Sequence, residues 1–267
     1  CARVEYEVSR CGWREKYIRD RLRSMLRVGE NINVRWLPQN IDPAETRAIK
    51  RLILRFRGET LFATGLIFVE GVTEEQLIRG MFQAYFGDDP SAFGISIIGV
   101  DGKSYAPFLT LALSLRKPFC VISDNDGDAK HVVLKQLSDV ERRLHYLAKN
   151  NRSGVFFLSP GLAMEGELVY KTQLKREIFD ALWACNASSN TSVKAKRLQY
   201  ERMAAMTPRE LKRKLEKKKA EYFGFLGDII AQNPYHQSVE NLLPQAILAA
   251  FKEISNWLGV PFAKREG

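Results

Sequence analysis

Between residues 59 and 158 the chain alternates short apolar runs with longer amphipathic segments, and that alternation leaves few folds open. The apolar runs Leu66–Val69, Gly94–Val100, Phe119–Ser123 and Val155–Leu158 are rich in β-branched or aromatic side chains, as strands are. Thr73–Phe86, Tyr105–Leu115 and Val132–Asn150, which separate them, read as helices from their apolar spacing. Strands alternating with helices of this length form a mostly parallel sheet covered by helices. The predicted class is α/β, Rossmann-like, with helices flanking a mostly parallel central sheet. Ligands of such sheets bind beyond the carboxyl ends of the strands.

The flanks read differently. Residues 1–58 are rich in arginine and helical in pattern over Trp13–Leu26 and Pro43–Phe56, with Asp42 as a capping carboxylate before Pro43. Asn31–Pro38 between them reads as a short extended or loop segment. Beyond residue 170 the pattern is helical over Glu167–Cys185, Pro208–Gln232 and Val239–Leu258, and Asn186–Ser192 is a polar connector. The expected organisation is an N-terminal helical segment (1–58), a catalytic core (59–170) and an appended α-helical region with a basic patch (171–267). A chain that opens on Cys1 without methionine and runs straight into charged sequence is expected to be part of a longer protein.

Charge narrows the partner. The 267 residues carry a formal net charge of +10, which favours a polyanion such as DNA. Cys1, Cys11, Cys120 and Cys185 form no CxxC pair, and His131, His145 and His236 are the only histidines, so no zinc site is expected. Scattered cysteines fit reduced thiols in a cytoplasm. No apolar run reaches the length of a membrane span, so no membrane partner is expected.

Carboxylates stand where the strands end. Glu70 follows Ile67-Phe68-Val69 directly, Gly71 permits a tight turn, and Glu74 falls in the first turn of the next helix. Glu75 is read only as complementing the helix dipole. Asp124, Asp126 and Asp128 follow Phe119–Ser123, and a strand-end DxD offers oxygen ligands to hard divalent cations. It is not a calcium loop, because Lys135 stands where that loop needs a glutamate. Glu165 or Glu167, after the turn Ser159-Pro160-Gly161, offers a further acidic ligand. Gly99-Val-Asp-Gly-Lys-Ser104 lacks P-loop spacing, although Gly102 and Lys103 suit approach to a phosphate. Arg209–Lys219 is the densest basic run and reads either as a solvated helix face or as a phosphate clamp.

In this order, the residues resemble the Toprim domain of topoisomerases, DnaG-type primases and nucleases of the OLD (overcoming lysogenization defect) family. The resemblance is to the C-terminal nuclease region of OLD proteins. It rests on Phe56-Arg-Gly-Glu-Thr-Leu-Phe62, Phe68-Val-Glu-Gly-Val-Thr-Glu74, Gly99-Val-Asp-Gly-Lys103 and Asp124-Asn-Asp126, over roughly residues 50–225. It implies DNA nicking or cleavage with two Mg²⁺ or Mn²⁺ ions, often in phage defence. One ion would rest on Glu70, Asp124 and Asp126, the second on Glu74 and Glu165 or Glu167, with Asp128 nearby. A catalytic lysine from Lys217, Lys218 and Lys219, with Lys218 favoured, would support the phosphate. The resemblance also implies an N-terminal ABC-type ATPase region preceding this one and a helicase-like partner, and it leaves room for a homo-oligomer. The alternatives are a topoisomerase- or primase-like Toprim, and a non-catalytic DNA-binding assembly module.

Overall fold

The computed structural model describes residues 23–28, 31–38, 41–55, 59–146, 148–186 and 192–260. Strand β1 (Arg23–Val28) pairs antiparallel with β2 (Asn31–Trp36), Arg23 lying opposite Trp36. The helix expected over Trp13–Leu26 is therefore wrong at Arg23–Leu26. Arg-Ser-Met-Leu-Arg-Val fits a period of two as well as one of 3.6, and pairing with the extended neighbour decides between them. The remainder of that expectation lies outside the described residues. Helix α1 (Pro43–Arg55) starts as its sequence predicts, the Asp42 carboxylate accepting the Ala44 amide at 2.6 Å. A single turn, α2 (Glu59–Phe62), leads into the sheet.

The central sheet is fully parallel. Its strands are β3 (Gly65–Val69), β4 (Ile95–Gly99), β5 (Phe119–Ser123) and β6 (Gly154–Phe157), in the spatial order β4-β3-β5-β6. Helices α3 (Val72–Phe86), α4 (Ala106–Ser114) and α5 (Ala129–Leu144) connect them. Alternate residues feed two separate cores. Leu66 and Phe68 of β3, with Phe119 and Val121 of β5, pack with α1, α4 and α5. Ile67 and Val69, with Cys120 and Ile122, face the other core, built largely from later helices. The central strands β3 and β5 are covered on both faces, which is why they are apolar runs without alternation.

The later helices are α6 (Met164–Lys171), α7 (Lys175–Asn186), α8 (Val193–Ala204), α9 (Pro208–Gln232), α10 (Val239–Leu242) and α11 (Gln245–Leu258). Several expected boundaries move. The helix predicted over Val132–Asn150 begins at Ala129 and stops at His145, whose φ of 50° ends the turn. Glu167–Cys185 divides at Thr172, an extended residue whose hydroxyl donates to the Leu168 carbonyl. Val239–Leu258 divides at Pro244, which has no amide hydrogen to continue the helix. Helix α8 was not anticipated. Helix α9 begins on a capping box in which Thr207 and Glu210 bond each other's backbone amides.

Polar ties fix the layers. The Arg143 guanidinium of α5 donates to both Glu45 oxygens of α1, at 2.7 and 2.8 Å, and to the Thr110 hydroxyl of α4 at 2.6 Å. At the amino-terminal end of β5, the buried Lys117 ammonium donates to the Ala63 carbonyl at 2.5 Å. Burial depresses the Lys117 pKa to about 8. Folding therefore opposes its protonation at neutral pH, and stability should rise as pH climbs from about 8 towards the unfolded value of 10.5. Lys117→Met should stabilise the protein by roughly 1–3 kcal/mol at pH 7. That gain should shrink through the same window, which urea denaturation at pH 7 and pH 10 would read.

Candidate metal centre

The site begins at the carboxyl end of β3. Gly71 takes an extended conformation as the cap of α3, and a Cβ there would stand 2.9 Å from a Glu74 carboxylate oxygen. The Glu74 carboxylate thus folds back over the turn that carries Glu70, and its Oε2 accepts the Thr73 hydroxyl at 3.0 Å. Glu74 is buried at 4% exposure, while Glu70 is half-buried. Gly99 presses on the same turn, since a Cβ would meet the Gly71 carbonyl carbon at 2.8 Å. Glu75 points elsewhere: its carboxylate accepts the Gly99 amide at 3.0 Å and ties α3 to β4. That is a structural role, though a different one from the dipole reading.

The glycine-rich loop after β4 is fastened on both sides. The Gly102 amide donates to the Glu70 carbonyl at 2.9 Å, and Gly102 has a φ of 108°. Gln136 of α5 donates to the Lys103 carbonyl at 2.6 Å and accepts the Ala106 amide at 2.8 Å. The loop thereby carries the Lys103 ammonium to the DxD segment, 3.8 Å from Asp126 and 3.6 Å from Asp128.

The DxD carboxylates part company. Asp124 is only 8% exposed, whereas the Asp126 and Asp128 side chains are 50% and 76% exposed. Asn125 between them does more than space them. Its side chain donates to the Leu158 carbonyl at 2.9 Å, and its carbonyl accepts the Gly161 amide at 2.8 Å. It joins the end of β5 to the loop that leads into α6. The sequence carried no signal for that role.

Glu165 and Glu167 are both buried in the first turn of α6, at 4% and 1% exposure. Their surroundings separate them. Both Glu167 oxygens are engaged by Ser159, one by its amide at 3.0 Å and one by its hydroxyl at 3.1 Å. Glu167 therefore holds the turn. Lys212 of α9 lies against α6, its Cε 3.3 Å from where a Gly166 Cβ would be. A hydrogen bond from Lys212 to Glu216 at 2.8 Å raises the lysine pKa, and Glu165 adds to the rise. Lys217 is exposed on the same helix, and the side chains of Lys218 and Lys219 lie outside the described residues.

Two buried tyrosines feel the charge of these carboxylates. Tyr105, just ahead of α4, is fully buried. Burial raises its pKa, the Ser123 hydroxyl draws it partway back, and Glu70, Asp124 and Glu74 raise it further. Tyr222 of α9 is fully buried too, its pKa raised by burial and then by Glu165 and Glu74. The charge of Glu74 acts on both hydroxyls. Among the described residues, no three Asp, Glu, His or Cys side chains converge closely enough to grip an ion as they stand.

A fully parallel sheet covered by helices, with buried carboxylates after its strands, defines the chain as an α/β protein. Residues 61–126, which include Glu70, Glu74, Asp124 and Asp126, match the family model of the overcoming lysogenization defect protein-like Toprim domain. That segment is similar to OLD-like Toprim domains, and Toprim domains generally use divalent metal ions. In fold, the chain is similar to the C-terminal region of the Xanthomonas campestris pv. campestris OLD protein. The TM-score is 0.51 at 19% identity, covering 76% of this chain and 97% of that one. The C-terminal region of the Burkholderia pseudomallei OLD protein aligns with a TM-score of 0.49 at 22% identity, covering 74% and 99%. No curated protein matches the sequence. Among the described residues no helix is long and apolar enough to cross a membrane.

Proposed function

We propose that the chain is a divalent-metal-dependent DNA endonuclease, the nuclease part of an OLD-type protein. The observation that carries this reading is the burial of Glu74 and Asp124 beyond strand ends within the segment that matches the OLD-like Toprim model, with Glu165 also buried after β6. Buried carboxylates need a cation or strong donors, and an all-oxygen donor set suits a hard ion such as Mg²⁺ or Mn²⁺. Glu70, Asp124 and Asp126 would hold one ion, and Glu74 with Glu165 a second, Asp128 remaining at the rim. Metal bound there would supply Lewis acidity and an activated water for phosphodiester hydrolysis.

The chain's own residues do the rest. Lys103, beside Asp126 and Asp128, can offer its ammonium to a DNA phosphate once Asp126 is engaged by a cation. Lys212 stands beside Glu165 and can neutralise charge that develops on the scissile group. The basic face of α9 offers Arg209, Arg213 and Lys214 to the DNA backbone, which makes binding salt-dependent. Tyr105 and Tyr222 are fully buried, so neither can act as the nucleophile a topoisomerase reading would need.

Nicking of supercoiled plasmid in Mg²⁺, Mn²⁺ and Ca²⁺ tests the proposal. Wild-type protein should nick in Mg²⁺ or Mn²⁺, and Asp126→Ala should abolish nicking while keeping its circular dichroism spectrum. Undiminished cleavage by that variant would sink the assignment.

A further inference from the structure

We propose that Tyr105 and Tyr222 are positioning residues of this centre: two preformed hydroxyl donors, one from each core, that bond the carboxylates when these turn towards a bound divalent cation. The proposal rests on the metal-dependent reading above. Its starting point is an anomaly. Among the described residues, the Tyr105 and Tyr222 hydroxyls are both buried with no hydrogen-bond partner. A buried hydroxyl without a partner opposes folding, and phenylalanine would fill the same space without that opposition.

The two rings come from opposite sides of the sheet. Tyr105 belongs to the core that holds Leu66 and Phe68, and Tyr222 to the core that holds Ile67 and Val69. The charges of strand-end acids act on each hydroxyl, Glu74 on both. Neither backbone is free to shift. Tyr105 follows the loop fastened to Glu70 and Gln136. Tyr222 rides on α9, which packs against α3 through Gly80 and Gly227 without room for a side chain between them. The Ser123 hydroxyl, which itself donates to the Asp124 carbonyl at 3.2 Å, lies near the Tyr105 hydroxyl without the geometry of a bond to it.

A phenol has one proton to give, and a carboxylate has two oxygens. When one oxygen faces a cation, the other can accept that proton, which fixes the carboxylate's rotation. Outer partners of this kind are worth about 10- to 100-fold in metal affinity. Tyr105 would serve Glu70 or Asp124, Tyr222 would serve Glu165, and Glu74 is within the influence of both.

The test uses the full chain as wild type, Tyr105→Phe and Tyr222→Phe. Calorimetric Mn²⁺ titration gives the affinity, and thermal melting in EDTA and in Mn²⁺ gives the stability of each state. In EDTA neither variant should melt lower than wild type, because each loses a hydroxyl that was unpaired. In Mn²⁺ the dissociation constant of each should rise at least about tenfold. Wild-type Mn²⁺ affinity in both variants would overturn the proposal and leave the metal reading standing. A clear fall of both melting temperatures in EDTA would also overturn it, since the hydroxyls would then be ordinary core donors. If wild-type protein binds no Mn²⁺, the metal reading falls and the tyrosine assignment with it.

Discussion

Glu74→Gln should reduce metal-dependent nicking by about 10³-fold, equivalent to ~4 kcal/mol of transition-state stabilisation, while making the metal-free protein more stable. The substitution is nearly isosteric. Glutamine keeps an oxygen that can accept the Thr73 hydroxyl, so the turn at Gly71 should survive. What is lost is one negative charge from a buried group in the first turn of α3, just beyond Glu70. Without a cation, like charges repel one another and burial penalises each of them. Removing one relieves that strain, so the melting temperature in EDTA should rise. Glu167→Gln makes the contrast. Its two oxygens are already committed to Ser159, so its loss should lower the melting temperature and leave Mn²⁺ affinity close to wild type. A Glu74→Gln protein that nicks DNA at the wild-type rate would remove Glu74 from the centre.

Gly80→Ala should destabilise the protein by at least about 3 kcal/mol. Helices α3 and α9 cross so closely at Gly80 that a Cβ there would lie 2.0 Å from the Gly227 carbonyl oxygen and 2.3 Å from its carbon. Those atoms are backbone, so no rotamer change makes room. The helices must separate, and the ~1 kcal/mol that alanine gains over glycine in a helix is too small to offset this. Gly224→Ala on the same interface is the control. Its new Cβ would meet the Gln76 side-chain oxygen at 3.2 Å, a flexible end that can move. That variant should lie within about 1 kcal/mol of wild type. Urea denaturation of both variants would decide. Because α3 carries Glu74 and α9 carries Lys212 and Tyr222, Gly80→Ala should also weaken Mn²⁺ binding in whatever fraction stays folded.

Some of this architecture is legible in the order of residues along the chain. Leu66–Val69 and Phe119–Ser123 are unbroken apolar runs because each strand is buried on both faces, and only a covered parallel sheet asks for that. Their ends are equally plain, since a buried strand cannot continue through Glu70 or Asp124. Arg23–Leu26 shows the opposite case. Residues whose spacing suits either period take their form from the strand they pair with, and spacing alone misreads them.

The sequence by itself determined the α/β class, the order of strands and helices through the core, and which carboxylates stand at strand ends. Those features are encoded locally, in apolar periodicity and in the residues that interrupt it. Only the tertiary structure decided how the acids divide. It buried Asp124 while leaving Asp126 paired with Lys103, and it committed both Glu167 oxygens to Ser159 while leaving Glu165 beside Lys212. It also buried the hydroxyls of Tyr105 and Tyr222, 117 residues apart in the chain, without partners and within the influence of the same Glu74 charge. The physical reason is that burial and charge depend on what the surrounding elements place nearby, and no spacing along the chain records that.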